Sequence, residues 1–535
     1  MSAYATHEVR NQPPERVGFN AFATDPALGA AVQAFGAGWA QERLHEAGGL
    51  VGSAHVQALA RNANRYAPEL QTHDRFGHRI DWVEFHPAWH ELMGMVRGTG
   101  LHALGWTEVR PGAHVARAAL AYLWAQGEAG VGCPAVMTFA SLAALRHAPA
   151  LLAEYEAKIL APGYDPRPLP PARKQALGVA MAMTEKQGGS DLRQTETVAV
   201  AAGEGYLLTG HKWFFSVPTS DLFLTLARTP AGVSCFLAQG WRDDGSRNFL
   251  QLQRLKDKCG NRSNASSEVE FRGLEARLVG AEGRGIATIL EMAHLTRIEC
   301  AVASAGLMHQ AVAEAMHHAR HRFAFQRRLI EQPLMRNVLA DLALETEAAM
   351  WLALRAAAAL DAGARDEKER ALSRILAPVA KYWVCKRAPA VAAEALECLG
   401  GNGYVEEHVL ARLYREAPLN GLWEGSGNVI CLDVLRALQR MPEAASLLRE
   451  ELGRVHPLID AWLLRMPAST EQNARLLTEA LAQACAAALL CRYAPPPIAE
   501  AFMQTRLVGG GRHFGALPAV LPFEEILCRF SGDAA

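Results

Sequence analysis

Residues 197–217 read TVAVAAGEGYLLTGHKWFFSV, a stretch in which apolar residues alternate with polar ones or gather in short runs bounded by glycine. Side chains of an extended chain point to opposite faces in turn, so this pattern marks strands with one buried face. LFLTLAR (222–228), VSCFLA (233–238) and SSEVEFRGLEARLVG (266–280) continue it, giving a β region over residues 182–281. On the N-terminal side the period changes. AAVQAFGAGWAQERLH (30–45), HVQALARNANRY (55–66) and HVARAALAYLWAQGEAG (114–130) carry apolar residues at helical spacing, so residues 25–180 read as helical up to a proline-rich break, PGYDPRPLPPARKQ, at 162–175. After GAEGRGI (280–286) the spacing predicts helices over 285–321, 333–362 and 367–399 and a fourth from about Gly427. A further helical region, 445–535, is interrupted by Pro457, Pro467 and the APPP at 494–497. Strands confined to one block between helical blocks define an α+β fold and argue against the alternation of a doubly wound sheet.

The 535 residues suffice for two to four domains with substantial cores. With 54 basic and 55 acidic residues the net charge is −1, so no global field draws the chain to nucleic acid or to an anionic membrane; such a partner needs a local patch. The N-terminus has neither the basic nor the apolar region of a secretory signal, and the uncharged run 129–145 is too short and glycine-broken to span a bilayer. Ten scattered cysteines without a CxxC pair fit buried thiols in a reducing, cytoplasmic compartment, with no membrane partner expected. No metal is expected either. The ExxH spacings at Glu42/His45 and Glu314/His317 lack the further glutamates of a di-iron bundle, and His317 with His321 lacks a third ligand.

Four stretches besides LWEGSGN (422–428) carry residue types suited to a ligand. MAMTEKQGGSD (181–191) joins the helical and β regions, with hydroxyls at Thr184 and Ser190 and two glycines that permit close backbone approach. The same composition also suits a polar helix-to-strand turn. HKWFFSV (211–217) sets three adjacent aromatics in a strand, which must leave at least one on the less buried face. LECLGGNGY (396–404) suits a helix C-terminus or a backbone held near a phosphate, and HRFAFQRRL (321–329) brackets two phenylalanines with arginines at a helix end.

In their order along the chain, MTEKQGGSD, GHKWFFS, RFAFQ, LGGNGY and WEGSGN resemble the acyl-CoA dehydrogenase family of flavoproteins. RLKDKCGNRSNAS (254–266) and LYREAPLNGLWEGSGN (413–428), with the extra C-terminal region, are similar to its AidB branch, associated with the adaptive response to DNA alkylation. The resemblance implies an N-terminal helical domain (1–180), a middle β-barrel domain (181–284), a C-terminal four-helix bundle (285–444) and an extra helical domain (445–535) that is a possible DNA-binding region, assembled as a homotetramer. It implies FAD, held by Met181, Met183, Thr184, Gly189, Ser190, Phe214, Phe215 and Ser216. Leu422, Trp423, Ser426 and Asn428 would close over that cofactor, while Arg322, Phe325, Gly400 and Gly401 would reach the ADP part of a neighbouring subunit's FAD.

Carried over in the same way, Glu424 is the base that removes the α-proton of an acyl thioester, and Thr184, Ser190 and Arg297 touch the substrate. Some family members take their base from the helix after the β domain, but Thr296 stands at the matching position here. Two departures from the family pattern are Glu397, where glutamine is usual, and TEKQGG in place of the commoner TEPxxG. The branch further implies weak dehydrogenase activity and binding of double-stranded DNA, for which Arg436 and Arg440 are the candidate contacts. Residues 445–535 hold eight arginines, no lysine and nine acidic residues, a balance that offers little counterion release by itself. The alternatives are a metabolic short- or branched-chain acyl-CoA dehydrogenase, or a DNA-binding regulator in which FAD is structural.

Overall fold

A short hairpin, β1 (Glu69–His73) and β2 (Arg79–Glu84), precedes the seven strands of one sheet: β3 (Val179–Ala182), β4 (Val198–Ala202), β5 (Gly205–Ser216), β6 (Leu222–Thr229), β7 (Gly232–Gln239), β8 (Leu250–Leu255) and β9 (Ser266–Val279). The computed structural model describes residues 6–509, 511 and 513–531. Strand β6 pairs with both β4 and β7, so the ring β4–β5–β9–β7–β6 closes into a barrel, with β3 attached along β6 and β8 along β9. The nearly uninterrupted apolar runs of β6 and β7 follow from this, because both of their faces are covered. Phe215, Phe223 and Phe271 stack through the interior, with ring centroids 4.8 and 6.1 Å apart along the series.

One charge pair lies inside the barrel. Lys212, with its side chain fully buried, donates to Glu185 Oε1 at 2.6 Å and to the Leu226 carbonyl at 2.8 Å. Glu185 also accepts the Thr197 hydroxyl at 2.6 Å and the Glu196 N–H at 2.7 Å. Burial pushes the Glu185 carboxyl up, but the ammonium and these donors outweigh it and hold the group at about 2. The pair ties the 184–197 loop to the middle of β5 from within.

The chain divides into two compact units. One comprises residues 55–300 with 422–429, and the other residues up to 54, 301–421 and from 430 onward. The boundary is spatial and cuts across the four blocks read from sequence. In the first unit the helices Pro87–Thr99, Ala113–Gly127 and Gly132–Leu145 accompany the barrel. Buried Arg97 pins the proline-rich connection by donating to the carbonyls of Ile159, Ala161, Gly163 and Leu177 at 2.5 to 3.3 Å.

The β1–β2 hairpin corrects the expectation of an unbroken helical region over 25–180. Its strands are short and largely solvated, so the apolar signal rests on Val83 and Ile80 with Trp82, too few to compete with the helical periodicity around them. It docks on β8 through Asp81, which accepts the Leu252 N–H at 3.0 Å, and Arg79, which donates to the Leu252 carbonyl at 2.6 Å.

In the second unit the helices Pro333–Ala362 and Glu367–Glu397 pack along each other and receive the C-terminal region. Observed bounds of Gly285–His321 and Pro333–Ala362 coincide with those read from the sequence. The tail docks through buried charge. Arg506 bridges Asp341 at 2.5 Å and Glu345 at 2.9 Å, Arg387 joins it on Glu345, and Arg529 reaches Glu347 at 3.3 Å. Helix Ala474–Tyr493 is long and apolar enough by composition to cross a membrane, but 72% of that window is buried. Its apolarity is that of a core helix.

Removing one partner of a buried pair leaves the other charge uncompensated. Lys212→Met is expected to destabilise the protein by roughly 3–5 kcal/mol, read as a shift in denaturant midpoint. The Glu185 contribution is present above the unfolded carboxylate value of 4.5 and is lost as pH falls toward about 2, so the wild-type and Lys212→Met unfolding curves should converge over that window.

Candidate active site

The residues singled out in the sequence fall into both units. Met181, Met183, Thr184, Gly189, Ser190, Phe214, Phe215, Ser216, Arg297 and the 422–428 segment belong to the unit built on the barrel. Arg322, Phe325, Gly400, Gly401, Arg436 and Arg440 belong to the helical unit.

In the barrel unit, Met181 lies on β3 and Met183 and Thr184 just beyond it, all three half-buried. The chain then makes a tight loop in which Glu185 and Gly188 exchange backbone hydrogen bonds at 3.1 and 3.0 Å. Glycine at 189 is a packing requirement, since a Cβ there would lie 2.3 Å from Thr184 Oγ1. The loop thereby brings the half-buried Thr184 and the exposed Ser190 onto one short turn, while the Trp213 N–H donates to the Thr184 carbonyl at 2.8 Å.

Strand β5 does not present its aromatics by simple alternation. Its register against β9 shifts between Lys212 and Phe215, a bulge that puts both of these side chains inside the barrel and leaves Phe214 half exposed. Phe215, 0% exposed, therefore offers no ring surface to a cofactor, which corrects the expectation from the motif. Trp213 takes the place beside Phe214 on the open face, where the Lys256 ammonium stands 3.4 Å from the Trp213 ring centroid and 4.6 Å from that of Phe214. Ser216, at the end of the strand, is half-buried with its hydroxyl 3.4 Å from that of Ser266.

Glu424 has φ of 60°, the left-handed region that a residue with a Cβ enters at a cost of roughly 1–2 kcal/mol. Arg297, 8% exposed, holds it there by donating from Nε to the Glu424 carbonyl at 3.0 Å. Arg297, expected as a substrate contact, thus also positions the carboxylate's own loop through Nε. Gly425 follows with φ of 106°, and Trp423 and Ser426 flank the turn half-buried, with Leu422 and Asn428 exposed. The thiol of Cys133 lies in this neighbourhood: burial pushes it up to about 12, opposed by Lys258 and the Ser216 hydroxyl and reinforced by Glu424. It is a neutral thiol, not a nucleophile.

In the helical unit, Phe325 and Gln326 both have positive φ, the geometry of a two-residue turn between the paired segments Phe323–Ala324 and Arg327–Arg328. Phe325 is 93% exposed at its tip. The N-terminal arm secures the turn, with Asn11 hydrogen-bonding both backbone groups of Phe323 at 2.8 Å and Arg322 donating to the Asn11 carbonyl. Gly400 and Gly401 are exposed with open space where a Cβ would stand, and Gly400 has φ of 61°. Arg436 and Arg440 lie one turn apart and exposed on helix Gly427–Arg440, whose one acidic residue, Asp433, faces Arg374 at 3.6 Å. Glu314 and His317, one of the ExxH pairs, serve packing: Glu314 accepts from Gln310 at 2.9 Å and His317 contacts the Pro14 carbonyl at 2.8 Å. Among the described residues no group of three or more histidine, cysteine or acidic side chains is placed to hold a metal.

Comparison with known proteins agrees with this architecture along the whole chain. Residues 11–166 match the adaptive response protein AidB N-terminal domain, residues 180–274 the acyl-CoA dehydrogenase middle domain and residues 283–439 the acyl-CoA dehydrogenase C-terminal domain. The chain is 45% identical over 516 residues to the Escherichia coli (strain K12) protein named "Putative acyl-CoA dehydrogenase AidB", covering 94% of this chain and 95% of that one. It is 32% identical over 402 residues to acyl-CoA dehydrogenase family member 11 of Caenorhabditis elegans, covering 72% of this chain and 64% of that one. Two solved structures superpose with TM-scores of 0.83: Bd2924 in its apo form, 27% identical over 90% of this chain and 99% of that one, and Caenorhabditis elegans ACDH-11 in complex with C11-CoA, 25% identical over 99% and 94%. The chain belongs to the acyl-CoA dehydrogenase family, in its AidB branch. Members of that family are FAD-dependent flavoproteins. The hydroxyl-edged loop closed on Gly189, with Ser216 and the open face of Trp213 nearby, has the donor set that suits the heterocyclic edge of a flavin.

Sequence reasoning named the motif RLKDKCGNRSNAS without singling out Lys258 or Asn264, and MTEKQGG without Glu185. A lysine between half-buried aromatics on β5 was the available signal for Glu185, because a buried ammonium requires an acid. The left-handed backbone at Glu424 has a direct consequence for substitutions. Glu424→Gly should be more stable than Glu424→Ala by roughly 0.5–1 kcal/mol, the reverse of the order at an ordinary position. Thermal melts of the two variants measure it.

Proposed function

We propose that the chain is an FAD-containing oxidoreductase of the acyl-CoA dehydrogenase type, cytoplasmic and homotetrameric, in which Glu424 removes the α-proton of an acyl thioester. The observation that carries this reading is the Glu424 turn, strained at φ of 60° and fixed by Arg297 at 3.0 Å. Strain retained at a carboxylate and held by a buried arginine is the mark of a group whose position matters more than its local energy. FAD bound beside it would supply the acceptor for the hydride leaving the β-carbon. Within the chain, Arg297 is a positioning residue, Met181, Met183, Thr184, Ser190 and Ser216 are the groups that would hold the flavin, and Trp423 and Ser426 would cover it. Phe325, Arg322, Gly400 and Gly401 are proposed to meet the cofactor of a neighbouring subunit, a reading supported by the exposed Phe325 tip and the open glycines. An acyl-CoA as ligand is supported by the relative solved with C11-CoA.

General base catalysis typically contributes about 100- to 10,000-fold. With an acyl-CoA panel mixed into the yellow protein under anaerobic conditions, flavin bleaching should slow by a factor in that range in Glu424→Gln. FAD content should stay unchanged, and Arg297→Gln should slow bleaching by about 100-fold through misplacement of the base. No bleaching of the wild-type flavin by any acyl-CoA would sink the reading.

A second function, binding of double-stranded DNA in the response to alkylation, is favoured by the exposed Arg436 and Arg440 and by the similarity to AidB. The tail arginines Arg492, Arg506 and Arg529 are engaged by acidic residues of the chain itself, so the proposed contact surface is built on the helix face of Arg436 and Arg440 and not on those three. Every arginine withdrawn from a DNA phosphate should lower the salt slope of binding by about one. Retardation of a duplex at several salt concentrations by wild type and by Arg436→Ala/Arg440→Ala tests this, and identical slopes would overturn it.

A further inference from the structure

Two loops of the barrel unit are locked together by Glu128, whose carboxylate accepts the Val131 N–H, the Ser263 hydroxyl and the Asn64 amide, each at 2.8 Å. The fit is close enough that a Cβ on Gly130 would lie 1.9 Å from Ser263 Oγ. This lock places the first turn of helix Gly132–Leu145, with Cys133, against residues 258–266. Lys258 donates to the Asn264 carbonyl and, at 3.1 Å, to the Ser266 hydroxyl, which stands 3.4 Å from Ser216 Oγ at the end of β5. Cys133 sits beside Ser216 and Asn264, in the field of Glu424. The groups gathered around the Cys133 thiol are therefore polar, where a straight-chain acyl group would call for leucine or methionine.

Asn264 is the group this arrangement leaves unsettled. It is 1% exposed, and neither its amide nitrogen nor its amide oxygen has a hydrogen-bond partner of normal strength, the Cys133 thiol beside it being a weak one. A buried unsatisfied polar group costs roughly 1–3 kcal/mol, and the lock around Glu128 prevents the loop from turning it to solvent. A ligand group that both donates and accepts would satisfy both atoms at once. If Glu424 marks the α-carbon, what lies beside it faces the acyl part of the ligand.

We propose that Asn264 is a specificity-determining residue that selects acyl thioesters whose short acyl group carries a hydroxyl or amide, held among Asn264, Ser216 and Ser266. The proposal rests on the acyl-thioester reading above and names the substrate class of that same site. Specificity then comes from a buried pair completed only by the right ligand, since an analogue lacking the group leaves the amide unpaired.

The test uses the full-length, FAD-loaded protein and two thioesters matched in length, 4-hydroxybutyryl-CoA and pentanoyl-CoA. Dissociation constants are taken from calorimetry and from perturbation of the flavin spectrum. The hydroxylated thioester should bind at least about tenfold more tightly to the wild type. Asn264→Leu should abolish that preference while leaving pentanoyl-CoA binding intact, and Asn264→Ser, which keeps a donor and an acceptor, should retain part of it. Equal affinities in the wild type, or a preference that survives Asn264→Leu, overturn the proposal and leave the acyl-thioester reading standing. Binding of neither thioester overturns both.

Discussion

The pairing of Lys212 with Glu185 inside the barrel is the constraint from which the active-site geometry follows. Glu185 belongs to the loop between β3 and β4, and Lys212 to the middle of β5, so their contact fixes the loop's height against the strand. Thr184, half-buried and next to Glu185, is thereby set by a bond on the inside of the barrel. The bulge that turns Lys212 inward is also what sends Phe215 inward and leaves Trp213 and Phe214 on the open face. The loop over residues 184–197 is held by one buried ion pair. Such a pair is weak evidence of net stability, but it is costly to break, which makes it a device for position.

This accounts for what the sequence revealed and what it did not. The helix bounds at Gly285–His321 and Pro333–Ala362 were legible because long apolar periodicity, ended by charged residues and proline, leaves little choice. The barrel was legible as a β block, since β6 and β7 are nearly continuous apolar runs. Its bulge was not, because a bulge is set by the register between two strands and neither strand alone carries the signal. For the same reason Phe215 was misread from the motif. The contact of Arg297 with the Glu424 carbonyl was hidden for another reason: the two lie 127 residues apart along the chain, and no local pattern connects them. The hairpin at 69–84 escaped notice because its strands bury so little that local polarity outweighed alternation.

Part of the charge in the C-terminal region is used to dock it. Asp341, Glu345 and Glu347 lie on one helix, Pro333–Ala362, and each is met by an arginine of the tail. Burial pushes the Asp341 and Glu347 carboxyls up, so they depend on those arginines to remain charged. The nearly balanced composition of residues 445–535 thus has a structural reason. Arg506 and Arg529 neutralise acids inside the helical unit, while Arg449, Arg454 and Arg465 of the tail are exposed, as are Arg436 and Arg440 on the preceding helix.

The strained turn at Glu424 completes the same logic from the other side of the site. A glycine at 424 would adopt φ of 60° freely, as Gly425 adopts its own positive φ, so the presence of glutamate there reflects the side chain and not the turn. Arg297 offsets the strain through the main chain, donating from Nε to the Glu424 carbonyl at 3.0 Å. A buried donor on that carbonyl fixes the backbone from which the side chain starts, so the direction of the carboxylate is set by the fold and not by a freely turning loop.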